Sequence, residues 1–143
     1  MFHSKAKFYF VLVCLWNAAL TPVLASPDKI EQSVFRITNY QQSPNWQSPW
    51  KMKPTNRGLG SGFLIQDNLI LTNAHVVSDS RILLVNKISN PEPFLADVVA
   101  IAHDSDLALL KVRDANFYQD LTPLELGGIP ELRSRVRAYG YPM

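Results

Sequence analysis

The feature that most constrains this chain is a succession of short β-branched and aromatic runs, each closed off by turn-forming residues. Ser33–Tyr40 reads SVFRITNY, Gly60–Gln66 reads GSGFLIQ, and Leu69–Thr72 reads LILT. Arg81–Lys87 (RILLVNK), Phe94–Ile101 (FLADVVAI) and Asp106–Val112 (DLALLKV) follow, with Asn, Pro, Asp or Ser between them. Branched and aromatic side chains suit a pleated, half-buried surface. No long stretch repeats its apolar residues every 3.6 positions, so no substantial helix is expected. Six short strands separated by turns predict an all-β sandwich or barrel. Between the second and third runs stand Asp67 and Asn68, a pair suited to a tight two-residue hairpin turn.

Two stretches break this rhythm. Gln41–Arg57, QQSPNWQSPWKMKPTNR, is rich in Pro, Ser, Gln and Asn. It is too long for a hairpin turn and reads as a surface loop carrying Trp46 and Trp50. Those indoles are either a contact site or folded back onto the barrel. Leu121–Leu132, LTPLELGGIPEL, has the Pro and Gly content of a connector, and Arg135–Pro142 then reads as the start of another strand.

The first 25 residues have the layout of an export signal. Lys5 and Lys7 precede the apolar run Phe8–Leu20, Pro22 breaks it, and Val23-Leu24-Ala25 puts small residues before a cut between Ala25 and Ser26. The apolar run is short for a membrane span. The protein is therefore expected to be exported, either periplasmic or secreted. Without Lys5 and Lys7, the basic and acidic residues balance. A balanced chain has no electrostatic footprint for nucleic acid or an anionic membrane. The single cysteine, Cys14, lies in the signal. The rest of the chain can form no disulfide, thiol nucleophile or cysteine zinc site, and must be held by its core.

His75 follows directly on the apolar run and is the natural candidate for a general base. To activate a serine hydroxyl, its ring must be fixed in one tautomer by a buried carboxylate on the other ring nitrogen. Asp106 opens the strand DLALLKV and suits that role, but it lies far along the chain, so the pair can meet only through the fold. Alone, a histidine at a strand end is often structural, and an aspartate before a strand is often a turn former. His103 and Asp104 are nearby competitors. A zinc site from His75, His103 and Asp106 is a further alternative, without a ligand-spacing motif behind it.

The flanking residues narrow the choice. GSGFLIQDNLILTNAHVV (Gly60–Val77) resembles the trypsin-like serine proteases of the Deg/HtrA family. In them a Gly-Ser-Gly-aromatic strand leads by a hairpin to the segment bearing the catalytic histidine. ADVVAIAHDSDLALLKV (Ala96–Val112) resembles the segment bearing the catalytic aspartate, and LTPLELGGIPELRSRVRAYGYP the connector and first strand of the second barrel. The loop SPNWQSPWK is similar to that of the branch found in plant organelles and many bacteria.

The resemblance implies the first six-stranded barrel of a two-barrel protease, with His75 as general base and Asp106 as its orienting partner. It implies no metal and no organic cofactor. Its implied substrates are unfolded or damaged proteins, and a longer form would be a homo-oligomer. The domain reading is residues 1–25 as signal peptide, 26–120 as the N-terminal barrel, and 121–143 as connector and first strand of the second. The family's nucleophile stands in a Gly-Asn-Ser-Gly-Gly motif downstream of the aspartate, and no such motif occurs here. Ser61 precedes His75, in a structural strand. The chain is thus expected to be the N-terminal piece of a protease, inactive by itself. The alternative is a short secreted binding module or an inactive truncated homologue.

Overall fold

The computed structural model describes residues 27–141. The expected signal and cleavage position, Cys14, Pro142 and Met143 lie outside the described residues. A six-residue helix, α1 (Pro27–Gln32), leads into β1 (Val34–Gln41). The other strands are β2 (Asn56–Ile65), β3 (Leu69–Thr72), β4 (Ser80–Asn86), β5 (Phe94–Ala102) and β6 (Leu107–Val112). A one-turn helix, α2 (Ala74–Val77), stands between β3 and β4.

The strands close into a barrel in the order β1-β2-β3-β6-β5-β4, every neighbouring pair antiparallel. Closure gives each strand two partners and removes the exposed edges that an open sheet would carry. Alternate side chains point inward. Phe35 and Ile37 of β1, Leu64 of β2, Ile70 of β3, Leu83 and Val85 of β4, and Leu110 and Val112 of β6 form the core. Phe117, from a 3₁₀ turn at Ala115–Tyr118, fills the remaining space. Its ring lies 5.0 Å from Phe35 and 5.1 Å from both Phe94 and Tyr118. Tilted and edge-on arrangements such as these add to the burial itself.

Away from the candidate site, the structure departs from the sequence reading at four places. The hairpin ladder ends at Ile65↔Leu69, so three residues rather than two turn the chain. Asp67 and Asn68 are the two at positive φ (61° and 56°), and Leu69 N–H closes the turn on Gln66 O. β2 begins at Asn56, inside the expected loop, because Gln41 and Tyr40 of β1 pair with Asn56 and Arg57. The short helix α1 stands where only strands were expected. Finally, 135–141 forms no strand. A strand exists only through its ladder, and the six barrel strands are already paired on both sides.

Two close approaches position α2. A Cβ on Gly60 would lie 2.5 Å from Val76 Cγ1, so only glycine lets the helix sit this close to β2. Asn39, fully buried on β1, donates its side-chain amide to Val76 O (2.9 Å) and Ser78 O (3.0 Å). These bonds satisfy carbonyls at the helix end that have no partner within the helix.

Candidate active site

β3 ends at Thr72, whose hydroxyl donates to Ser61 O at 2.8 Å. The chain then turns at Asn73 into α2, which buries Ala74 and Val77 and leaves His75 outward. Ala74 and Val77 lie three apart on one face of the turn, so burying them sends His75 to the other side. The sequence reading put His75 at a strand end; it stands on a helical turn.

Asp106 stands just before β6, at a φ of 52°. This left-handed conformation is uncommon outside glycine, but aspartate adopts it more readily than most residues. Asp106 N–H donates to His103 O at 3.2 Å, which closes the turn. The pairing of β3 with β6, Thr72 opposite Ala108, carries this turn to the start of α2.

The two residues meet twice. His75 Nδ1 lies 2.7 Å from Asp106 Oδ2 and 3.0 Å from Oδ1. The backbone N–H of His75 donates to Oδ1 at 2.9 Å. Asn73 adds a third grip. Its side-chain amide donates both to Oδ2 and to the main-chain carbonyl of Asp106, each at 3.1 Å. The residue that the sequence reading left without a role therefore clamps the carboxylate and its backbone together. Its place two residues before His75 was the only sequence signal available.

A buried carboxylate is what the sequence leads one to expect beside a catalytic imidazole. Asp106 is instead 46% exposed and His75 71% exposed, so hydrogen bonds rather than burial fix the pair. The His75 backbone N–H, then its ring, hold the Asp106 carboxyl below its ordinary value of 3.8, with Asn73 adding to the effect. Asp106 is thus a carboxylate at neutral pH. With Nδ1 engaged by that carboxylate, Nε2 is the ring nitrogen left to exchange a proton.

The competitors do not join the site. His103 and Asp104 are exposed in the turn before Asp106. Among the described residues, no three His, Cys, Asp or Glu side chains come together as metal ligands, so the zinc alternative of His75, His103 and Asp106 is not assembled. Ser61 is engaged elsewhere, its Oγ accepting from Tyr141 N–H at 2.8 Å. A cleft of about 600 Å³ is lined by Asn73 and Leu107, the neighbours of the pair, together with Thr72, Leu124 and Tyr139.

Residues 60–143 match the family described as the trypsin-like peptidase domain. The chain is similar to Putative protease Do-like 13 of Arabidopsis thaliana, with 40% identity over 115 residues, covering 80% of this chain and 24% of that protein. It is similar to the mitochondrial Protease Do-like 4 of the same plant, with 41% identity over 126 residues, covering 88% of this chain and 24% of that protein. Among solved structures it resembles the active form of the Rv3671c protease from M. tuberculosis, at 28% identity and a TM-score of 0.52. That likeness covers 72% of this chain and 38% of the other. The chain spans about a quarter of the length of the two plant relatives.

Proposed function

The chain belongs to the trypsin-like peptidase family, on its Deg/HtrA branch, and from that premise we propose that it is the histidine- and aspartate-bearing barrel of a serine endopeptidase. The observation that carries the reading is the double contact of His75 with Asp106, through ring and backbone at once. A chance surface pair has no need of both. The roles follow from chemistry. A serine hydroxyl attacks the peptide carbonyl while His75 Nε2 takes its proton. Asp106 holds the imidazole in the tautomer that leaves Nε2 free and stabilises the imidazolium that forms. The proton passes to the leaving amine, and water then releases the acyl group.

No Gly-Asn-Ser-Gly-Gly motif occurs in these residues. The nucleophile and the groups that receive the oxyanion are assigned to a second barrel, in the part of the relatives' length that this chain does not span. Residues 121–143 are its connector and first segment. The substrates are unfolded or damaged proteins, and the longer form is a homo-oligomer that works outside the cytoplasm once residues 1–25 are removed.

In a longer version carrying the second barrel, His75→Ala and Asp106→Asn are each expected to lower kcat by about 10⁴-fold or more, with KM little changed. Casein turnover within tenfold of the parent protein in either variant overturns the assignment.

A further inference from the structure

The loop between β1 and β2 is not a slack connector. Pro44 pairs with Met52 across it, and Lys53 N–H reaches Ser43 O at 3.0 Å. Lys51 N–H donates to Ser48 O (2.8 Å), Ser48 N–H to Asn45 O (3.0 Å), and Gln47 N–H to the Asn45 side chain (3.1 Å). At the foot, Gln42 N–H and the Ser43 hydroxyl hold Asp79, at 2.9 and 2.5 Å. The result is a hairpin fixed by its own backbone and tied to the barrel.

This built hairpin displays what a folded protein ordinarily hides. Trp46 is 83% exposed and Trp50 80%, with Met52 beside them. Lys51, Lys53 and Arg57 are exposed as well, and none is in an ion pair among the described residues. The overall charge balance, from which no footprint for an anionic membrane was expected, conceals a local excess: from Gln32 to Gln66 the sequence has no Asp or Glu. Among the described residues Asp79 is the one acidic side chain bonded to the hairpin, and the Ser43 hydroxyl donates to it. The order of the hairpin means that little conformational entropy is lost when its tip is immobilised.

We propose that this hairpin docks the protein on an anionic phospholipid surface, a role separate from the His75–Asp106 chemistry. Indole rings settle at the headgroup level of a bilayer, with the ring in apolar surroundings and the N–H in water. Cations beside them are drawn to anionic headgroups. Both kinds of side chain are gathered in one short hairpin, Trp46, Trp50 and Met52 with Lys51 and Lys53, as docking on a surface that is apolar and negative requires. A second copy of the chain would bring the same cations against these. An acidic protein would satisfy the charge but offer no reason for two bare indoles at the tip.

The test uses residues 26–143, the form left once the export signal is removed, in which Trp46 and Trp50 are the only tryptophans. Emission and iodide quenching are followed as vesicles are added, either of phosphatidylcholine alone or with phosphatidylglycerol. Anionic vesicles are expected to shift the emission to the blue and shield it from iodide. Neutral vesicles should do neither, and high salt should reverse the shift. Lys51→Gln with Lys53→Gln and Arg57→Gln should weaken the response about a hundredfold in lipid concentration. These side chains are exposed, so an unchanged melting curve checks that the variant folds. Emission unmoved by anionic vesicles, or moved equally by neutral ones, overturns the proposal. A shift produced by poly-glutamate and not by vesicles would assign the hairpin to an acidic protein, and one produced by protein concentration alone to a second copy; either also overturns it.

Discussion

Residues 34–117 and residues 121–141 are both rich in leucine, isoleucine and valine, yet only the first segment gathers a set of them into a core, leaving others such as Val99 and Leu107 outside. In the barrel, Ile37, Ile70, Val85 and Leu110 are fully buried. In the later segment, Leu126, Leu132 and Val136 are exposed, and Ile129 is 99% exposed. Hydropathy does not separate the two. What does is the backbone, since each barrel strand has a partner on both sides and the later segment pairs with none. That segment is held at separate points only. Leu124 N–H reaches Leu64 O at 2.8 Å, Thr122 O accepts from Ser33 Oγ at 2.6 Å, and Tyr141 N–H reaches Ser61 Oγ. Apolar residues are buried where the ladders have built an interior to receive them, as they have even for Phe117, which belongs to no strand. The proposed second barrel is the ladder that residues 121–141 would join.

The largest effect expected of this contrast is at Phe117. It is fully buried against three other aromatic rings. Phe117→Ala should cost about 3–5 kcal/mol in urea unfolding. Ile129→Ala should stay within about 0.5 kcal/mol of the parent. Equal costs at the two positions would break the comparison.

A smaller effect tests the same contrast through the backbone. A Cβ on Gly62 would meet Ile37 Cδ1 and Ile70 Cγ2 at 2.8 Å and Leu71 O at 3.0 Å, whereas one on Gly127 would meet nothing within 4 Å. Side chains can turn aside, but the carbonyl belongs to the β2–β3 ladder and cannot. Gly62→Ala is expected to cost about 1–3 kcal/mol. Gly127→Ala should be neutral or stabilising by up to about 1 kcal/mol, because alanine narrows the unfolded ensemble. Thermal unfolding of the two variants side by side measures the difference.

The same contrast marks what could be read in the sequence. The six strands were legible because branched residues alternate between turn formers, and each run carries its own signal. The hairpin turn was legible to within a residue, since Asp and Asn accept positive φ. Residues 135–141 carry the same strand signal, but the signal needs a partner that only tertiary structure supplies. α2 was hidden because Ala-His-Val-Val is too short to show a period and contains two β-branched valines. Phe117 was hidden because a 3₁₀ turn between Asp114 and Gln119 has no periodicity. At the site, His75 and Asp106 were found by their residue types and flanks. Asn73 and Asn39 were not, because their importance lies in the carbonyls and carboxylate they reach across the fold.

The smallest effect expected concerns the exposed pair of His75 and Asp106. The Asp106 carboxyl has a lower pKa in the folded chain than its ordinary 3.8, held down by His75 and then Asn73. Folding therefore favours the ionised form. The contribution is full above the unfolded value and is lost as pH falls through the folded one. In Asp106→Asn there is no carboxyl to protonate. The gap in urea midpoint between parent and variant should be open at about pH 5 and close as pH falls below about 4. Asp97, lowered by its hydrogen bonds to Arg113, titrates in the same acid range. It is present in both proteins, so it cancels in the difference. Asn73→Ala should narrow the gap without abolishing it, because the two His75 contacts remain. A gap that ignores pH would mean the carboxylate gains nothing from its partners in the folded state, and the pair would then be no more organised than residues 121–141.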